Sequence, residues 1–284
     1  MYIKMTETQP SNQEKERLMK LLINILFKIK IFKTRLASKN EVETFIKNFV
    51  AHYVSTRLIR IGSRNDGGYL VPDILHDLKY CFSPGVDLVS EFEEELSSLY
   101  DTKSFMIDAS VSRLQINNKD FIFEEKFLSS KTIDRYITLS DWIDKTITDE
   151  NAKLLLQMDI EGAEYEVLAF ENSETLSKFC VIVIEFHDFQ NIFDRNQLGI
   201  IKGLFEKLYK DFSICHAHPN NNSSEVTLMG ISVPKLIEIT FIRNDVLENV
   251  QSYQNIQLPH VLDEKNVPTK KDLKLSEMWW KTKY

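Results

Sequence analysis

Asp159 and Glu161 follow directly on the apolar run Leu154-Leu155-Leu156, with Gly162 and a helical pattern behind them. An unbroken apolar run suits a strand buried on both faces of a parallel sheet. Ligands of open α/β sheets bind outside the carboxyl ends of the strands, so both carboxylates are candidate site residues. Equally, either could simply cap the next helix. On that helix Ala163, Val167 and Phe170 form one side, with Glu164 and Glu166 elsewhere. The run Cys180–Phe186 ends the same way: Glu185 and His187 share one side at strand spacing. Histidine is suited to general-base work because its free pKa lies near neutrality. His216 and His218 share a face of the run Phe212–His218. A transition metal needs more donors than two, and no others lie nearby in sequence.

The elements that must position these groups alternate in type. Arg57–Gly62 and Tyr69–Pro72 read as short strands around the turn Ser63–Gly68, a hairpin carrying Arg60, Arg64, Asp66 and Tyr69. Lys79–Asp87 reads as a strand leading into a loop with Gly85, which lets a ligand approach the backbone. The helix beyond it carries Val89, Phe92, Leu96 and Leu99 on one face, and Glu91, Glu93, Glu94 and Glu95 mostly outward. An acidic helix start suits a ligand that lacks phosphates or carries positive charge. Ser104–Ile107 is a further strand ending in Asp108, where an acid could accept ribose hydroxyls or merely shape a turn. Asp120–Phe123 is the next strand, and Leu139–Ile143 approaches a helix. Val226–Val233 and Leu236–Arg243, around Pro234, are last strands or one edge hairpin. Alternating strands and helices of this kind give an α/β fold, a doubly wound sheet.

Composition is that of an ordinary globular protein, 43% hydrophobic and 27% charged. The net charge of −7 argues against nucleic acid as a partner, because phosphate neutralisation needs concentrated Lys and Arg. Cys81, Cys180 and Cys215 have no metal spacing and sit in apolar runs, which points to a reduced, cytoplasmic setting. From Glu14 onward, Leu18, Leu21, Leu22, Ile25, Leu26, Ile29 and Phe32 form a helical stripe beside Lys20, Lys28, Lys30, Lys33 and Arg35. Such a basic amphipathic helix packs on its own domain, pairs two copies into a homodimer, or lies peripherally on a membrane surface. A second helix is expected near Asn40, capped by that residue with Glu43 reaching back. The chain thus divides into an N-terminal helical segment (1–56), a catalytic sheet domain (57–245) and a C-terminal tail packed on or beside it (246–284).

Gln157-Met158-Asp159-Ile160-Glu161-Gly162-Ala163-Glu164 resembles the signature of FkbM-type S-adenosylmethionine-dependent methyltransferases. Ile184–His187 and His216-Ala217-His218 with the asparagines after it resemble that family too. So do the Asp66-Gly67-Gly68-Tyr69 hairpin and Gly85 with Ser90–Glu93. The resemblance runs from about Arg60 to about Arg243. It implies a Rossmann-like sheet of the class I methyltransferase type with its seventh strand antiparallel. It further implies cofactor contacts by Gly85, Asp87, Glu91, Asp108, Asp159 and Glu161, and O-methylation of a sugar or glycan-related acceptor. Asp66, Tyr69, His216 and His218 would bind that acceptor. In one scheme His187 is the base and Glu185 or Asp159 orients it; in the other, Asp159 and Glu185 hold magnesium. The first loop, Ser83-Pro84-Gly85, has fewer glycines than the family's usual one. A non-catalytic scaffold and a metal-dependent glycosyltransferase are the competing readings.

Overall fold

The computed structural model describes residues 35–86, 90–111, 118–247 and 256–281. Most of the expected first helix (Glu14 to Thr34), the segment proposed for dimer or membrane contact, lies outside them, as does Asp87. The hairpin is formed by β1 (Leu58–Gly62) and β2 (Gly68–Pro72). Then come β3 (Leu78–Pro84), β4 (Lys103–Ile107), β5 (Phe121–Glu124) and the two-residue strands β6 (Phe127–Leu128) and β7 (Tyr136–Ile137). β8 (Lys153–Met158), β9 (Phe179–Phe186), β10 (Phe212–Pro219), β11 (Glu225–Leu228), β12 (Ile231–Pro234) and β13 (Ile237–Arg243) complete the strands. The principal helices are α1 (Lys39–Ala51), α2 (Glu91–Tyr100), α3 (Leu139–Thr146), α4 (Glu164–Phe170), α5 (Ser173–Leu176) and α6 (Arg195–Leu208).

Seven strands form one sheet in the order β10-β13-β9-β8-β3-β4-β5. Only β13, the seventh of them along the chain, runs antiparallel to its neighbours. This is the Rossmann-like arrangement expected. Leu236–Arg243 therefore does not form an edge hairpin with the run before it: β13 is inserted between β9 and β10, while β11 and β12 pair separately. The chain leaves β3 toward β4 and β5, then returns at β8 on the other flank of β3, so the ligand-binding switch point falls between β3 and β8.

The period-2 alternation of the strands sorts the sheet into two packed faces. Leu156, Ile182, Ile184 and Phe186 meet Phe45 and Phe49 of α1, Trp142 of α3 and Phe205 of α6. Leu155, Val181 and Val183 meet Ile61 and Tyr69 of the hairpin and Phe92 and Leu96 of α2. Glu185 and His187 continue the hairpin side of β9 beyond its apolar part.

Two local expectations are corrected. The α1 cap is Ser38, not Asn40: the Ser38 hydroxyl accepts from the Glu41 N–H at 3.3 Å, and Glu41 accepts from the Ser38 N–H at 2.7 Å. Glu43, expected to reach back, instead faces Lys39 at 3.7 Å. On α4, Phe170 is 72% exposed, whereas Glu164, Val167 and Leu168 face inward. The helix has only 7 residues, and that i, i+3, i+4 set is the stripe it buries.

Among the described residues no helix is long and apolar enough to cross a membrane. The tail returns to the core through Trp279, which is fully buried, meets Phe49 edge-on at 5.4 Å and donates its indole N–H to the Ser232 carbonyl at 3.2 Å. Removing that ring leaves a large cavity against α1. Trp279→Ala is expected to cost about 3–5 kcal/mol, read as a lower urea midpoint; an unchanged midpoint would show that the tail adds nothing to the core.

Candidate functional site

At the switch point the chain is pinned. The Gly85 N–H donates to the Ile107 carbonyl at 2.9 Å, and the Asp159 N–H donates to the Pro84 carbonyl at 3.2 Å. Gly85 has φ +80°, and a Cβ there would lie 1.5 Å from the Asp159 carbonyl oxygen. Only glycine lets β3 end so close to β8. Above this junction lies a cleft of about 390 Å³ lined by Asp66, Tyr69, Gly85, Glu91, Gln157 and Asp159 among others. No described residue lining it is Lys, Arg or His, so the cleft is acidic. The Gln157 amide donates to the Tyr69 hydroxyl at 3.3 Å, tying β8 to the hairpin.

Beyond Asp159 the chain makes a left-handed turn, with Glu161 at φ +55° and Gly162 at φ +102°. The turn aims two amides at one point: Glu164 Oε1 accepts from the N–H groups of Ile160 and Gly162, each at 3.1 Å. The same oxygen lies 3.1 Å from His187 Nδ1. His187 Nε2 faces Glu161 at 3.3 Å and Asp159 at 3.8 Å. Burial lowers the His187 pKa, but the Glu164 hydrogen bond and the charges of Glu164, Asp159 and Glu161 outweigh it and raise it to about 9. Burial pushes the Asp159 carboxyl up to about 7, against the opposing pull of His187. Asp159 Oδ1 is buried and has no hydrogen-bond partner among the described residues.

Glu185 does not orient His187, although both lie on the hairpin side of β9; Glu164 does. Glu185 instead accepts from Asn220 Nδ2 at 3.2 Å and belongs to a second cluster with Asp66 and Glu238. Burial first, then the neighbouring charges of Asp159, Glu238 and Asp66, push Glu185 up to about 10. Burial likewise pushes Glu238 up to about 7. The two residues of the expected metal pair fall in different clusters: Asp159 gathers with Glu164 and His187, and Glu185 with Asp66 and Glu238.

His216 and His218 do not line the cleft that holds Asp66 and Tyr69. They converge on Asp263 of the tail, His216 Nε2 at 2.9 Å and His218 Nδ1 at 3.6 Å. Burial would raise the Asp263 carboxyl, but the two histidines hold it well below the usual carboxylate range. His216 borders a different cavity, of about 810 Å³, with Tyr53, Thr56 and His260. Asp108 accepts from the Ser110 N–H at 2.6 Å, the Asx-turn geometry, and is not among the residues lining the cleft. The Glu161 side chain is 87% exposed beside His187, outside that lining. Glu91 does line the cleft.

Sequence reasoning missed Glu164 and Asp263 as partners of the histidines. The available signal for Glu164 was its place two residues after a glycine that follows a strand end, where converging amides can bind a carboxylate. Nothing near Asp263 in sequence marks it.

The family described as Methyltransferase FkbM domain matches the chain over residues 24–212. Among curated proteins nothing matches. Among solved structures, a fibrillarin from Methanococcus jannaschii, titled a pre-rRNA processing protein, is 10% identical. It covers 66% of this chain and 82% of its own, with a TM-score of 0.39. A fibrillarin/Nop5p complex is 13% identical over 59% of this chain and 73% of that one, with a TM-score of 0.37. A precorrin-6y C5,15-methyltransferase from Geobacter metallireducens is 12% identical over 60% and 81%, with a TM-score of 0.31. Likeness this distant carries no argument about chemistry.

The carboxylate–imidazole contact gives a sign for pH. A histidine pKa raised from 6.5 to about 9 adds stability that is full below the ordinary value and lost as pH rises through about 9. Glu164→Gln is expected to bring the imidazole pKa of His187 back toward 6.5, read by proton NMR titration. The stability gap between wild type and variant should close between pH 7 and 9. An unmoved imidazole pKa would remove Glu164 as its partner.

Proposed function

We propose a function from one premise: the chain belongs to the FkbM methyltransferase family. Membership carries methyl transfer with S-adenosylmethionine as the donor, and we extend it to O-methylation of a sugar or glycan-related hydroxyl. The cleft suits such a donor on three counts. Its volume falls in the range of small-molecule sites, about 300–1,000 Å³. Its described lining is acidic, which favours a positively charged sulfonium. The Ser90 hydroxyl, in the same lining as Gly85, is buried with no hydrogen-bond partner among the described residues, a group left for a ligand to satisfy.

When bound, S-adenosylmethionine supplies a methyl group already activated by its positive sulfur. What remains for the chain is to orient the acceptor and take its proton. The observation that carries our assignment is Asp159 in the cleft lining, whose Oδ1 is buried with no hydrogen-bond partner among the described residues. A carboxyl near 7 is half ionised at neutral pH and matched to a general base. His187, positive below about 9, is unsuited to that role and serves to position Asp159 and offset its charge. Asp159 thus accepts the hydroxyl proton as the oxygen takes the methyl. Tyr69, Gln157 and Glu91 offer polar groups for the other hydroxyls of a sugar.

Calorimetric titration with S-adenosylhomocysteine tests the cofactor, with saturable one-to-one binding expected; absence of binding would leave a scaffold protein. Radiolabelled methyl transfer to a panel of sugars then tests the acceptor class. In that assay kcat/KM is expected to rise as pH passes about 7 and fall as it passes about 9. Asp159→Asn should lower kcat about 10²–10⁴-fold while S-adenosylhomocysteine still binds. Undiminished turnover in that variant would reject Asp159 as the base.

A further inference from the structure

His187 also borders a second groove, of about 490 Å³, between α4 and α6. Tyr165 and Phe170 line it from α4, Gln197 and Ile200 from α6, and Asn191 from the short helical turn Phe189–Phe193. His187 Nε2 lies 3.8 Å from Asp159 Oδ1, and Asp159 lines the cleft. Groove and cleft therefore adjoin at the group proposed as the base. Apart from His187, nothing in this groove takes part in the proton transfer above.

Phe170 is 72% exposed and Ile200 51% exposed, one on each wall. Scattered apolar residues at a surface are ordinary, but two on the walls of one groove beside a reacting centre form a surface that folding leaves unused. Polar groups stand among them. Asn191 and Gln197 contribute amides, and the Tyr165 hydroxyl, in the same lining, is buried with no hydrogen-bond partner among the described residues. Charge narrows the ligand. The described lining holds Glu166 and Asp188 but no Lys or Arg, and the His187 imidazole is already engaged by Glu164. A phosphate, sulfate or carboxylate would meet like charge there. A neutral hydroxylated ring fits instead: its C–H face covers side chains such as Phe170, and amides, which donate as well as accept, match the hydroxyls at its rim.

We propose that this groove binds a second sugar unit of a neutral glycan acceptor, next to the unit whose hydroxyl meets Asp159. The assignment deepens the methyl-transfer reading and rests on it. It makes the acceptor a chain of at least two units rather than a free monosaccharide. The cleft, at about 390 Å³, is near the lower end of the range for small-molecule sites, so further rings of an acceptor must lie outside it. Binding energy gained on such a remote ring holds the reacting hydroxyl in place at Asp159.

The test is an array of neutral and uronic-acid-containing glycans, from single sugars to tetrasaccharides, probed with the labelled full chain with and without S-adenosylhomocysteine. Binding is expected from disaccharides upward, about tenfold or more tighter than to the matching monosaccharide, and weaker for the acidic glycans. Phe170→Ala should remove that gain, whereas Phe170→Tyr, which keeps the aromatic face, should retain it. S-adenosylhomocysteine affinity should be the same in both variants as in the wild type, which reads out an intact fold. No bound glycan, equal binding of mono- and disaccharides, a preference for acidic glycans, or a disaccharide gain that survives Phe170→Ala would overturn the proposal. So would a Phe170→Ala variant whose sole change is from dimer to monomer in solution, which would make the groove a contact between two copies. S-adenosylhomocysteine titration of the same preparation separates the two readings. Cofactor binding without the disaccharide gain sinks the groove assignment alone, and the reverse sinks methyl transfer alone.

Discussion

β3 and β8 end with no room between them, and the rest of the site depends on that contact. The Asp159 carbonyl sits where the Cβ of any residue other than glycine would stand on Gly85. Hydrogen bonds from Gly85 to β4 and from Asp159 to β3 lock the two strand ends together. The glycine costs roughly 0.5–1 kcal/mol in backbone entropy relative to alanine. In return the Asp159 side chain leaves the sheet from a fixed backbone. The left-handed pair Glu161 and Gly162 follows at once, and its converging amides seat Glu164, which in turn holds His187. The imidazole position is thus inherited, step by step, from one backbone contact.

Around this edge a chain of net charge −7 concentrates carboxylates, and it compensates them in three different ways. Glu164 is met by two backbone N–H groups and an imidazole. Asp263 lies between two histidines. Among the described residues, Asp66, Glu185 and Glu238 accept hydrogen bonds from the amides of Asn220 and Asn266, while His218 and Arg60 act on Glu238 by charge without pairing with it. Neutral donors satisfy hydrogen-bond geometry but contribute far less than a counter-charge to offset mutual repulsion. The third cluster is thus compensated by charge at a distance rather than by direct pairing.

The layered sheet was legible because its strands are apolar runs of the right length, and the strand ends were legible because polar residues break those runs. The partners of the polar residues were not. Ser38 with Glu41 and Asn40 with Glu43 satisfy the same capping spacing, and the choice turns on where the chain enters the helix. Glu164 reads as a surface residue on a helical wheel unless the turn before it is known to be left-handed. Asp263 reaches His216 and His218 only through the fold of the tail, which carries no periodic pattern. Gly85 was visible as a turn residue, but its steric necessity exists only once β8 lies beside it.

Residue type alone favours His187 over Asp159 as a base, because free imidazole titrates near neutrality and a free carboxylate does not. Environment reverses the order. His187 is surrounded by Glu164, Asp159 and Glu161, and the favourable charge outweighs its burial, so its proton is held to about 9. Asp159 is part-buried, with one oxygen lacking a partner among the described residues and other acids nearby, so its charged form is disfavoured and its proton is held to about 7. Asp159 titrates close to where a free imidazole would, and His187 well above it. Their exchange of roles needs no unusual chemistry, only the seating of Glu164 against the turn that the Gly85 contact fixes.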